Sequence, residues 1–274
     1  MNAPMQKSIT VKKLTPALGA EIGGIDLSRP LSAQQVSEVQ DALAENLVIV
    51  FRDQELSVDQ HKAFGRLFGE LHIHPAATNT VPGHPEVLLI RADENSQRAD
   101  GEEWHSDVSC DELPPMGSLL YAHEVPPIGG DTVFASAYAL YDALSDSMKT
   151  FLEGMTALHD GQVFSKFGVG GHEVRIPRAE HPVVRTHPVT RRKGIFVNPI
   201  FTRQIKQLKK QESDAVLAFI YKMMDTPEFQ CRVNWRVGTL TFWDNRCALH
   251  QAIFDYHPHR RVMHRVTVLG DRPY

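Results

Sequence analysis

The sequence predicts a mainly β protein with helical cover, a sandwich or jelly roll. Three observations point there. Short apolar segments bounded by Gly, Pro, Asp and Asn recur at 47–51, 87–90, 118–124, 132–135, 194–198, 239–243 and 261–269. Few stretches carry helical periodicity, which leaves helices as cover over sheets and not as the core. No glycine-rich strand-to-helix phosphate loop is present, which disfavours a parallel nucleotide-binding sheet.

Each helix has its own signal. Ser32-Ala33-Gln34-Gln35 reads as a capping box ahead of Val36, Val39 and Leu43, so a helix runs to about Glu45. Ser57-Val58-Asp59-Gln60 opens a second, with Ala63, Phe64, Leu67 and Phe68 on one face and a stop near Gly69. One continuous helix is expected over 137–152, carrying Tyr138, Tyr141, Leu144 and Phe151. Another is expected over 211–224, with Val216, Phe219, Ile220 and Met223. Their apolar stripes read as core packing.

The chain has 274 residues, 42% hydrophobic and 23% charged, and shows no long linker or repeat, so 1–274 is read as a single domain. A net charge of −4 argues against a general attraction to nucleic acid or anionic membrane. The longest apolar run, 47–51, is far short of a membrane span, and no secretory leader is evident, so the cytoplasm is expected. Cys110, Cys231 and Cys247 are scattered and odd in number, which fits neither a disulfide framework nor a thiolate zinc site. The 14 histidines raise the question of a metal site.

The stretch Glu103-Trp104-His105-Ser106-Asp107 sets an imidazole and a carboxylate two residues apart, which on extended backbone point to one side. Trp243-Asp244-Asn245-Arg246 leads to His250, a third ligand offered from beyond a strand and turn. Two histidines and one carboxylate leave one face of a metal open, as in non-haem Fe(II) oxygenases, although zinc suits the same ligands. Arg261 and Arg265 fall on one face of the alternating segment 261–269. Two guanidiniums aimed at one site suit two anionic groups, such as a dicarboxylate cosubstrate and an anionic substrate. Gly129-Gly130-Asp131-Thr132 adds a turn into a strand with a hydroxyl able to share one of those anions.

Together these motifs, with 19–27, Leu71-His72-Ile73-His74-Pro75 and 181–188, resemble the taurine dioxygenase family from about Thr10 to the C-terminus. The resemblance implies a double-stranded β-helix, the clavaminate synthase-like jelly roll. It implies Fe(II) held by His105, Asp107 and His250, and 2-oxoglutarate whose distal carboxylate is held by Thr132 and Arg261. With O2 as second cosubstrate, such an enzyme hydroxylates a substrate C–H bond and releases succinate and CO2. A homo-oligomer is also implied.

By the same resemblance, His74, Arg265 and Phe201 line the substrate pocket and favour a small organic anion, a sulfonate first. Two departures bear on taurine itself: Ala77 replaces a family tyrosine, and Gly101 falls near a family asparagine. Both changes remove contacts to an amine and admit a bulkier, less polar substrate, which keeps aryloxyalkanoates open. A zinc hydrolase on the same triad is the remaining enzyme alternative. Residues 161–180, with Gly168, Gly170 and Gly171, could form a lid or a plain surface loop. His159, His181 and His187 are read as structural hydrogen-bonding groups.

Overall fold

A computed structural model describes residues 8–74, 79–167 and 176–274. Its frame is an eight-stranded sheet in the order Thr10–Lys13, Ala20–Gly23, Val48–Phe51, Leu240–Asp244, Gly117–Glu124, Arg261–Val268, His84–Ala92, Thr80–Val81. Neighbours are antiparallel except Ala20–Gly23 beside Val48–Phe51. A three-stranded antiparallel sheet, Gln230–Val233, Thr132–Ser136 and Ala248–Ala252, faces it.

The apolar run 47–51 is continuous because both of its faces are covered. Val48 and Val50 point between the sheets, into a cluster with Leu120, Phe134, Trp243, Ala248 and Met263. Ile49 and Phe51 point outward, under Val39 and Leu43 of the helix Ala33–Asn46 and Phe64 of the helix Val58–Arg66. Both helices begin with the reciprocal capping boxes that Ser32 and Ser57 promised. Behind the smaller sheet, Leu217, Ile220 and Met224 of the helix Lys210–Met224 pack on Val133, Ala135 and Leu249. Among the described residues no helix is long and apolar enough to cross a membrane, and the three cysteines are free and buried.

The structure corrects three expectations. The helix expected over 137–152 is two, Ala137–Asp142 and Asp146–Leu152, because the Ser145 hydroxyl caps a new start by accepting from the Met148 amide. The strand expected over 194–198 is only Lys193–Ile195, paired with Val184–Thr186. At the ends of 161–180 lie the 3-10 helix Gly161–Phe167 and the strand Arg178–Pro182, which pairs with Thr156–Asp160. Gly168, Gly170 and Gly171 lie outside the described residues. His159 and His187 do serve as hydrogen-bonding groups, to the Ser109 hydroxyl (3.0 Å) and the Asp244 carboxylate (3.0 Å), as does His181, to the Asp111 carbonyl (2.8 Å).

Two buried imidazoles make the fold acid-sensitive. His61, bonded to the Leu119 carbonyl, and His159 are each pushed down to about 3 by burial, so both stay neutral in the native state. The unfolded chain takes up these protons near the ordinary histidine value. Their contribution to stability is therefore full above about pH 6.5 and is lost as pH falls toward about 3. Urea unfolding midpoints are expected to drop between about pH 7.5 and about pH 5, and His159→Gln is expected to flatten that dependence.

Candidate active site

His105 is not on a regular strand; its extended segment pairs with the edge of Ala248–Ala252. The His105 amide donates to the His250 carbonyl (3.0 Å), and the His250 amide donates back to the His105 carbonyl (2.8 Å). This reciprocal pair fixes the two residues opposite each other, with ring centroids 4.1 Å apart. His105 Nδ1 faces the Glu103 carbonyl at 2.8 Å and so carries the proton, which leaves the Nε2 lone pair for a ligand. The His250 ring is held between Phe134 (5.9 Å, near-parallel) and Trp243 (4.7 Å).

Asp107 completes the set. Its carboxylate oxygens lie 3.9 Å from His105 Nε2 and 3.9 Å from His250 Nε2, within twice a metal–ligand bond of about 2.1 Å. All three residues are buried. The Ser118 hydroxyl donates to Asp107 (2.7 Å), and Arg265 Nη1 does so at 2.5 Å. Asn245 organises these partners: its amide donates to Ser118 Oγ (3.1 Å), and its carbonyl accepts from Trp243 Nε1 (2.9 Å) and the Asp107 backbone (3.3 Å). Val108, just past the carboxylate, adopts the left-handed region at φ 46°, a strained turn for a β-branched residue.

Burial lowers the affinity of His105 and His250 for a proton and keeps both imidazoles neutral. Burial alone would raise Asp107, but the Arg265 guanidinium, with the hydrogen bond from Ser118, outweighs it and holds the carboxyl well below the usual carboxylate range. Two neutral imidazoles and one carboxylate are the protonation states a divalent metal requires. A second buried group, His187, Asp244 and Cys247, is different. Arg246 occupies both Asp244 oxygens (2.8 and 2.6 Å). His187 Nδ1 accepts from two backbone amides, so its Nε2 proton is spent on Asp244. Burial raises the Cys247 thiol well above its ordinary value, so it stays protonated, and the cluster is closed on itself and not open to a metal.

The triad opens on a cavity of about 190 Å³ that gathers every site residue expected from the sequence: His74, His105, Asp107, Thr132, Phe201, His250, Arg261 and Arg265. Thr132 starts its strand after Gly129 and Gly130, both in the left-handed region. Arg261 is 5% exposed, and its Nε is buried without a hydrogen-bond partner, so the cavity contains a desolvated cation suited to an anion. His74 is pushed down to about 3, by burial first and then by Arg265, and is neutral. Phe164 stands between His74 (5.0 Å) and Phe201 (5.6 Å) and forms an apolar wall with Leu88, Ile90, Leu120 and Ile200.

Gly101 has a steric role that the sequence did not signal. At φ 83° its Cα lies against the His105 ring, and a Cβ there would be 2.7 Å from Cε1. Its carbonyl accepts from the Ala252 amide (2.8 Å), which ties this turn to the His250 strand. Ala77 lies outside the described residues. The sequence did not point to Ser118, Asn245 or Trp235, which stand behind the candidate site residues; Asn245 lies inside the quoted Trp243–Arg246 tract, whereas Ser118 and Trp235 have no local signal.

The family model described as "Taurine catabolism dioxygenase TauD, TfdA family" matches residues 10–267. The chain is 35% identical over 287 residues to an alpha-ketoglutarate-dependent sulfonate dioxygenase of Saccharomyces cerevisiae, covering 97% of this chain and 68% of that one. It is 33% identical over 285 residues to an alpha-ketoglutarate-dependent 2,4-dichlorophenoxyacetate dioxygenase of Cupriavidus pinatubonensis, covering 96% and 99%. A solved taurine dioxygenase from Burkholderia xenovorans superposes with a TM-score of 0.85 at 34% identity, covering 97% of this chain and 91% of that one. With its two-sheet jelly roll and a matching model over nearly its whole length, the chain belongs to the taurine catabolism dioxygenase TauD, TfdA family.

Proposed function

We propose that the chain is an Fe(II)- and 2-oxoglutarate-dependent dioxygenase that hydroxylates a C–H bond of a small organic anion, most directly a sulfonate. The observation that carries this reading is the pairing of two features in one cavity. An open-faced His105, Asp107, His250 set sits beside a buried Arg261 whose Nε has no hydrogen-bond partner. A zinc hydrolase needs only the first; a dicarboxylate cosubstrate explains the second.

His105, Asp107 and His250 would hold the iron, and Thr132 and Arg261 the distal carboxylate of 2-oxoglutarate. With O2, the bound iron and cosubstrate supply the oxidising power, yielding succinate, CO2 and a hydroxylated substrate. Arg265 and His74 face the substrate anion: Arg265 is shared between Asp107 and the cavity, and neutral His74 offers a hydrogen bond without a charge. Phe201, with Phe164, excludes water from the apolar part of the substrate. Where the hydroxylated carbon bears a sulfonate, the product divides into an aldehyde and sulfite.

The apolar wall favours a substrate with a hydrophobic body and keeps an aryloxyalkanoate as the second reading. Cytoplasmic location and a homo-oligomer belong to the same proposal. Light scattering tests the assembly.

Ser118→Ala leaves one Asp107 oxygen and the Asn245 amide without their buried partner. It is expected to weaken Mn(II) binding about 10- to 100-fold, measured by calorimetric titration. Arg261→Ala is expected to raise the KM for 2-oxoglutarate by about two orders of magnitude or more while Mn(II) affinity holds, because a buried ion pair is lost. Succinate formation is expected to rise above the basal rate with alkyl- or arylsulfonates and to depend on Fe(II) and O2. Turnover supported by zinc without O2 would overturn the assignment.

A further inference from the structure

We propose that Trp235 is a positioning residue for the distal carboxylate of the cosubstrate, acting through both groups that hold it. The inference rests on the reading of this cavity as a 2-oxoglutarate site. Trp235 lies two residues past Val233, the strand residue paired opposite Thr132, and is 5% exposed. Its indole Nε1 donates to Thr132 Oγ1 at 3.1 Å. An indole N–H can only donate, so it takes a lone pair of the hydroxyl. The hydroxyl proton is then left to be given to an acceptor in the cavity that Thr132 lines. The same indole ring lies beneath the Arg261 guanidinium, with Cζ 5.7 Å from the ring centroid.

The residue before it protects that arrangement. Asn234 donates to one oxygen of Asp131 (3.0 Å), and Arg232 holds the other (2.5 Å). The acid adjacent to Thr132 is thereby occupied, and among the described residues Arg261 forms no ion pair. Its remaining partner is the neutral Tyr256 hydroxyl, so the charge faces no carboxylate at ion-pair distance. The segment 232–235 thus withholds the competing carboxylate, turns the hydroxyl and seats the guanidinium.

Trp235→Phe keeps an aromatic ring near Arg261 and deletes the N–H together with part of the bicyclic ring. The readout is calorimetric binding to the Mn(II)-loaded, oxygen-free protein of two ligands: 2-oxoglutarate, and 2-oxobutyrate, which has the same chelating end but no distal carboxylate. Trp235→Phe is expected to weaken 2-oxoglutarate about tenfold, the scale of one hydrogen bond to a charged group, and to leave 2-oxobutyrate and Mn(II) affinities unchanged. In a Thr132→Val background the same change is expected to have no further effect. Trp235→Leu, which also removes the ring from Arg261, is expected to weaken 2-oxoglutarate further. Equal losses for both ligands, or an undiminished effect in the Thr132→Val background, would overturn the role of Trp235. So would wild-type affinity for 2-oxoglutarate in Trp235→Phe. Absence of 2-oxoglutarate binding to the wild-type protein would instead overturn the cosubstrate reading itself. Should Trp235→Phe fail to fold, Trp235→Leu measured in the wild-type and Thr132→Val backgrounds decides it: its loss of 2-oxoglutarate affinity relative to 2-oxobutyrate must be smaller in the Thr132→Val background, and an equal loss in both would overturn the link through Thr132.

Discussion

The site depends on one reciprocal pair of backbone hydrogen bonds, between His105 and His250. These residues are far apart in sequence, and His105 lies on a segment with no regular strand of its own. Pairing it to the edge of Ala248–Ala252 sets the spacing of the two imidazoles without asking the side chains to find each other. Asp107, two residues on, then reaches the same point because extended backbone alternates its side chains. Rings fixed in this way lose little entropy when they take a ligand, which is the advantage of a preorganised site.

Around that pair the protein has removed water and kept the charges. Burial alone would neutralise Asp107, yet Arg265 and the hydroxyl of Ser118 hold it ionised, while the same burial keeps His105 and His250 neutral. The opposing shifts come from one low-dielectric pocket and from which group has a cation beside it. Asn245 joins Trp243, Ser118 and the Asp107 backbone, which ties the large sheet to the segment carrying His105 and Asp107. Gly101 closes against His105 from the other side, where any side chain would strike the ring.

Much of this was legible in the sequence because its signals are local. The capping serines, the two-faced run at 47–51 and the His105-to-Asp107 spacing each act within a few residues, and the structure bears out the elements they predicted. The strand Thr10–Lys13 escaped because all of its residues are exposed, which leaves no alternation to read. The break at Ser145 was hidden by apolar residues that keep helical spacing across two short helices. Ser118 and Trp235 gave no signal, since their meaning lies in a partner more than a hundred residues away or on a neighbouring strand. Gly101 was read as a missing amide, whereas the structure sets it against the His105 ring, where a side chain would crowd Cε1.

The most direct test of the account is an oxygen-free titration of the metal-free protein with Fe(II) and 2-oxoglutarate, followed by visible absorption. The account predicts a weak charge-transfer band that needs both additions and is abolished in folded Asp107→Ala. A folded wild-type protein that takes up Fe(II) and 2-oxoglutarate without forming the band, or that takes up neither, would contradict it.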